Sequence, residues 1–369
     1  MRVSWDQAFA WRLRRQYLRP RATAGVVDIA ARLCGLQAQV ASSAELAAAL
    51  RTSTPESGAV AGALAEGALI KTWAMRGTLH AMTPDTAAAC LTLLAATRTW
   101  EKPSWQRTFG ATPAQVTALA DKVGELLESQ ILTREELVDQ IAADPAFAVH
   151  ETELRSGWGA LLKPLAWQGV LCHGPARGSK ISFTSPATLP GWQPVADVDV
   201  AARTAITAYL GAYGPATPEA FDTWLSRGAH RKTRVRGWFA DLGEQLTEVD
   251  VDGRRAYILA EHADELAATE PDDSVHLLGA FDQYVLGPGT GDQELLPAQH
   301  RAQVSRTAGW IAPIVVARGR IAGTWELTDA DEVAVAMFDG APVPRAELAD
   351  ALAHLAEVTG RARLTLRAS

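Results

Sequence analysis

Cysteine is scarce in this chain: Cys34, Cys90 and Cys172 are the only three in 369 residues. They are widely spaced and odd in number, which excludes a disulfide framework and a C-x-x-C zinc pair and fits reduced thiols. No apolar run approaches the roughly 20 residues a membrane span needs. The opening Met1-Arg2-Val3-Ser4-Trp5-Asp6 has no apolar signal-peptide core, so a cytoplasmic location, at the nucleoid when on DNA, is expected. Also missing are G-x-S-x-G, H-E-x-x-H, a P-loop and any G-x-G-x-x-G between a strand and a helix. No metal and no cofactor is therefore expected, and the Gly289/Gly291 pair alone does not make a phosphate cradle. Net positive charge is lacking too: the balance is −7 and the pI about 5.7. That argues against indiscriminate polyanion binding but leaves room for local patches.

What is present is material for two or three domains, with 48% hydrophobic residues to build their cores. A helix is expected from Asp6 to Leu18, closed by Pro20, with Arg12, Arg15 and Arg19 on one face. A second runs from Ala22 to Cys34, where Gly35 stops it. Ser42 followed by Glu45 reads as a capping box opening a third, and Pro55 to Gly67 is a fourth. Leu69–Met75 and Thr78–Met82 then form a hairpin around Arg76-Gly77. The pattern repeats. Thr112 with Gln115 caps a helix to Ser129, Thr133 with Glu136 caps another to Ala143, and Glu153 to Gln168 is a third, before a hairpin of Gly169–His173 and Lys180–Phe183. It repeats again with helices Val200–Ala212, Thr217–Arg227 and His230–Leu242, and with strands Gln245–Val251 and Arg254–Leu259 about Asp252-Gly253. Beyond Pro271, short β-rich runs take over, interrupted by one helix from Arg345 to Thr359.

The expected fold is therefore α+β: three tandem winged-helix units over 1–110, 111–190 and 191–270, then a small, mostly β, barrel-like domain over 271–369. Winged helices make nucleic acid the natural partner class, and local charge decides where. The densest basic cluster is Arg231, Lys232, Arg234 and Arg236, flanked by Arg227 and His230, where a recognition helix would lie. Arg12, Arg14, Arg15, Arg19 and Arg21 make a second cluster. Arg318 and Arg320 sit on a hairpin tip shaped to enter a groove.

Gln37 and Gln39 lie one residue apart on a short connector between helices. In an extended segment their side chains point the same way, and two neutral amides aimed at one spot can orient a water or grip a base edge. The plainer reading is two polar loop residues. His80 faces opposite to Leu79 and Ala81 and reads as a core or rim histidine, and Asp282 reads as a turn cap. With Arg76, both are kept as candidate support for an active site.

Four segments carry a resemblance: Gly35-Leu36-Gln37-Ala38-Gln39, Trp73 to His80, Leu278 to Tyr284, and Gly323-Thr324-Trp325. With these the chain resembles, over nearly its whole length, the winged-helix DNA-binding domain family whose characterised members are bacterial DNA glycosylases. The Gln-x-Gln form of the first motif is similar to the branch that protects azinomycin producers by unhooking interstrand crosslinks, and departs from the branch with Gln-x-Asp. The resemblance implies that Gln37 and Gln39 are catalytic and that the units form a C-shaped cradle on double-stranded DNA carrying alkylated or crosslinked purines. A monofunctional glycosylase acting as a monomer is the expectation that follows. The alternatives are a non-catalytic winged-helix regulator, which is usually a dimer on a palindrome, and a protein-interaction scaffold, which leaves the basic clusters unexplained.

Overall fold

The computed structural model describes residues 1–367; the last two residues of the expected 271–369 domain lie outside the described residues. The chain begins with a two-residue strand, β1 (Arg2–Val3), and helix α1 (Trp5–Arg15), opened by a capping box between Ser4 and Gln7. A first block follows: α2 (Val26–Arg32), β2 (Leu36–Gln37), α3 (Ala41–Ala49), α4 (Ala59–Ala65), β3 (Ile70–Trp73) and β4 (Leu79–Met82). Helix α5 (Pro84–Ala96) and the short α6 (Pro103–Phe109) lead to a second block of α7 (Pro113–Leu127), β5 (Leu132–Thr133), α8 (Arg134–Ala142), α9 (Glu151–Arg155), α10 (Leu162–Trp167), β6 (Cys172–His173) and β7 (Ser182–Thr184). A third holds α11 (Val198–Tyr213), α12 (Pro218–Ser226), α13 (Lys232–Asp241), β8 (Leu246–Val251) and β9 (Arg254–Leu259). An isolated bridge from Ala216 to Tyr257 stands where the other blocks carry a short strand.

Local signals set many of these boundaries. Thr112 with Gln115 and Thr133 with Glu136 form reciprocal capping boxes. Asp252 and Gly253 take left-handed φ values of 46° and 85°, the turn a tight β8–β9 hairpin demands. The Ser42–Glu45 box does not form. The Glu45 carboxylate instead accepts the N–H groups of Val60 and Ala61, 3.1 and 2.9 Å away, and so caps α4. The expected Glu153–Gln168 helix is two helices. The chain breaks between them because Gly159 is left-handed and a Cβ there would lie 2.6 Å from the Trp73 ring.

The hairpins of the first two blocks do not stay separate. They merge into a six-stranded sheet in the order β2-β4-β3-β6-β7-β5, joined by the antiparallel pair Lys71 and His173. At the start of the chain, β1 pairs in parallel with β8, so residues 2 and 3 extend the third block's sheet. Trp11 and Val3 pack under that sheet beside Val249 and Ile258. The opposite flank of α1, with Phe9 and Leu13, enters the largest core of the molecule. That core is built mainly by a five-stranded sheet in sequential order: β10 (Val275–Leu278), β11 (Ile314–Ala317), β12 (Arg320–Leu327), β13 (Glu332–Met337) and β14 (Thr365–Leu366), covered by helix Leu348–Val358. No helix among the described residues is long and apolar enough to cross a membrane.

Candidate active site

Helix α2 is ended by two left-handed residues, Cys34 (φ 55°) and Gly35 (φ 105°). The Gly35 N–H donates to Ala30 O at 2.7 Å, and from α11 the Tyr213 hydroxyl donates to Leu33 O at 2.6 Å, which anchors the turn. A Cβ on Gly35 would lie 2.6 Å from Met82 Cγ, so only glycine lets the chain bend this sharply into β2. The exit direction of Gln37 is set by that bend.

Strand pairing ends between the two glutamines. Gln37 is the last residue of β2, opposite His80, and is 6% exposed; Gln39 lies in a bend and is exposed. The two-residue alternation of an extended strand therefore does not carry from one to the other. The first amide is sunk in the sheet and the second stands at the surface.

His80 is the middle of a row. It is the register partner of Gln37 on one side and of Thr72 on the other, so the three side chains share one face of the sheet. All three are buried. The His80 Nδ1 lies 3.0 Å from Thr78 O, which can only accept, so Nδ1 carries the proton and Nε2 offers a lone pair. Burial, reinforced by the charge of Arg76 and opposed by the Thr78 carbonyl, pushes the imidazole pKa down to about 3. The ring is neutral at any physiological pH. Gln37 Oε1, His80 Nε2 and Thr72 Oγ1 have no hydrogen-bond partner among the described residues. Two acceptors and a hydroxyl complement the O–H groups of a water.

The other two candidates, Asp282 and Arg76, make contacts between distant parts of the chain. Asp282 accepts from Arg51 Nη1 and Nη2 at 2.8 and 2.7 Å, both side chains fully buried, and its Oδ1 caps the Gln283–Leu286 helix through the Tyr284 N–H. It ties the first block to the C-terminal region. Arg76, left-handed at φ 59° in the β3–β4 turn, donates to Trp224 O and Leu286 O at 3.1 and 3.2 Å.

The basic clusters separate. Arg12 does not present itself to a phosphate: it is 3% exposed, and its Nε and Nη2 donate to Gly214 O and Pro215 O at 3.1 and 3.0 Å. Arg15 is likewise spent on Gly211 O and His262. These arginines rivet α1 to α11, a use that an arginine stripe in the sequence does not distinguish from an exposed basic face. On the third block, Arg231, Lys232, Arg234 and Arg236 are all exposed. Arg234 is paired with Asp199 and Arg236 with Glu219, while Arg231 and Lys232 have no carboxylate partner among the described residues. The Arg318–Arg320 tip is not a free wedge. Gly319 sits against Phe9, Tyr284 Oη donates to Gly319 O at 2.6 Å, Arg320 pairs with Asp6, and Arg318 with Asp273 at 2.8 Å. The tip is docked on α1.

The family model described as DNA glycosylase AlkZ-like matches residues 30–362. Over all 369 residues, and over the full length of both proteins, the chain is 52% identical to the interstrand DNA cross-link repair glycosylase of Streptomyces sahachiroi. It superposes on the solved structure of the Streptomyces sahachiroi DNA glycosylase AlkZ with a TM-score of 0.96, at 52% identity and complete coverage of both chains. The matched span takes in the bend that buries Gln37 and the strand that sets His80 beside it, and on the strength of these matches the chain belongs to the AlkZ-like family of DNA glycosylases.

Proposed function

We propose that this glycosylase hydrolyses the N-glycosidic bond of purines made cationic by alkylation at N7 or N3, and that it unhooks interstrand crosslinks built from such bonds. The full-length similarity to a protein named for crosslink repair supports the substrate class. The observation that carries the chemistry is the buried, neutral setting of Gln37 beside an imidazole that stays unprotonated. Two carboxylates on elements around the loop are committed elsewhere, Glu45 to the α4 N-terminus and Asp282 to Arg51. A carboxamide has no pKa that would let it serve as a general base. It can hold an attacking water by its carbonyl oxygen and aim that dipole at the oxocarbenium-like sugar. Chemistry of this kind suffices only when the leaving base already bears its positive charge. Gln37 and Gln39 are the residues assigned to it, and with no lysine amine assigned a role the reaction is a hydrolysis without a Schiff base.

The three helix–helix–helix–hairpin blocks serve in this reading as winged helices that, with the C-terminal β domain, cradle duplex DNA around a single copy of the chain. Arg231 and Lys232 remain the first candidates for phosphate contact. A crosslinked guanine is tethered to the opposite strand, which disfavours extrusion into a deep pocket and favours a loop that meets the sugar within the duplex.

The test is base release from a duplex containing N7-methylguanine by wild type, Gln37→Ala and Gln39→Ala, with DNA binding measured alongside. Release by wild type that is lost in the variants while binding persists is expected. Binding lost in parallel would make the glutamines structural, and no release with tight binding to undamaged duplex would turn the reading to a regulator.

A further inference from the structure

Where the three blocks and helix α6 meet lies a cavity of about 330 Å³ whose lining includes neither Gln37 nor Gln39. That is near the low end of the roughly 300–1,000 Å³ typical of small-molecule sites. Four aromatic rings line it: Trp105, Phe109, Trp158 and Trp167. Trp158 is 72% exposed, a large apolar surface left uncovered at the cavity's edge. Three cations line it as well: Arg76, Lys163 and Arg227.

None of these three cations has a carboxylate within 4.0 Å among the described residues, although most other arginines of the chain do. They are close enough to disfavour one another. Lys163 is held below the usual lysine range by burial and then by the charge of Arg227. Arg76 is pushed down to about 10, chiefly by burial, with Arg227 adding to the shift and the tyrosines on α11 opposing it. The Lys163 ammonium lies over the β3–β4 turn, 3.9 Å from where a Cβ on Gly77 would be. Among the described residues Arg76 Nη2, sealed from solvent, has no hydrogen-bond partner, and neither do the buried Thr99 Oγ1 and Trp167 Nε1 of the same lining. Uncompensated, mutually repelling cations beside aromatic rings are costly for the free protein. They match a ligand that brings one anionic group and one flat aromatic group.

We propose that this cavity binds an unpaired nucleotide, its phosphate on Arg76, Lys163 and Arg227 and its base against the tryptophans. Duplex DNA is the poorer fit, because its bases are stacked on one another and cannot lie on the rings. A base with its phosphate is the unit that single-strand binding proteins take by this combination of cationic groove and aromatic face. Gln37 is not among the residues lining the site, and the proposal does not depend on the chemistry assigned to it.

The experiment is titration of the full chain with a fluorescein-labelled thymidylate hexamer, followed by tryptophan quenching and anisotropy over a range of salt. Thymidine monophosphate and inorganic phosphate serve as competitors. Two exposed positions are varied, Trp158→Ala and Arg227→Gln, with circular dichroism confirming that both fold. We expect the hexamer to bind and quench, Trp158→Ala to weaken it roughly 5- to 100-fold, and Arg227→Gln to lower the slope of log affinity against log salt by about 0.7. Thymidine monophosphate should compete better than inorganic phosphate. No binding of the hexamer, or variants with wild-type affinity and slope, would overturn the proposal. Inorganic phosphate competing as well as the nucleotide would reduce the site to an anion hole with no use for its rings. Release of N7-methylguanine by the same preparation is read separately, so failure of one reading leaves the other standing.

Discussion

Asp282 offers the sharpest separation of structure from chemistry. It lies within the span matched by the AlkZ-like family model, and its carboxylate is fully occupied by Arg51 and the Tyr284 N–H at a fully buried position. Asp282→Asn would leave the Arg51 guanidinium buried beside an amide, with one acceptor oxygen in place of two and an NH₂ facing N–H donors. Removing one partner of a buried pair costs about 3–5 kcal/mol, whereas replacing both by apolar residues of similar volume is often near neutral. At about 2–4 °C per kcal/mol for chains somewhat shorter than this one, Asp282→Asn should lower the melting temperature by roughly 5–15 °C. Arg51→Met with Asp282→Leu should recover most of that loss. Scanning calorimetry, with base release measured well below the melting temperature, checks it. If Asp282→Asn melts within about 1 °C of wild type, the burial argument is wrong. If it melts normally and base release collapses, Asp282 acts in the chemistry.

Gly35→Ala should both destabilise the protein by about 1–3 kcal/mol, since it adds a Cβ at φ 105° against Met82, and slow base release by displacing Gln37; normal release at saturating DNA would refute the positioning role of the turn. Arg231→Ala and Lys232→Ala should each lower the salt slope of duplex binding by about 1, whereas Arg12→Ala should destabilise without moving the slope, and filter binding over a salt series decides it. The rings of His80 and His276, buried, and of His173, half-buried, are neutral: burial depresses His80 and His173 from the ordinary histidine value to about 3, and His276 to about 4. Their contribution to stability is complete above pH 6.5. It drains away as pH falls below that value, because the unfolded chain takes up protons first, and it levels off once the folded rings titrate. At pH 5 the loss is about 2 kcal/mol per histidine, so urea unfolding between pH 7 and 5 should show a marked fall in midpoint that His80→Leu reduces.

The sequence was most legible where a signal and its response lie within a few residues. Thr112 reaches Gln115, Thr133 reaches Glu136, and Asp252-Gly253 turns its own hairpin. Ser42 and Glu45 look the same on paper, but Glu45 finds better use at Val60, 15 residues away, and no local rule foresees that. Arg12 and Arg15 read as an exposed stripe because spacing reveals a shared face but not what covers it. The joining of two hairpins through Lys71 and His173 rests on a pairing about 100 residues apart in the chain. At the site, the Gln-x-Gln motif marked the loop. The signal for the Thr72–His80–Gln37 row was also present, as a polar residue at a matching step of each strand, but it becomes visible only once register is known. Gly157 and Gly159, inside an expected helix, were the hint of the break that places Trp158 at the mouth of the cavity.

The pairing of β1 with β8 has a consequence for the order in which the protein is made. Residues 2 and 3 leave the ribosome nearly 250 residues ahead of their partners, Asp250 and Val251. At about 5–20 residues per second that is roughly 10–50 s. Through that interval Phe9, Trp11 and Leu13 have neither the third block nor the C-terminal sheet to cover them, which makes the nascent first helix a natural client for a chaperone. It also gives the finished protein a form of quality control, since a chain truncated before β8 cannot seat its own beginning.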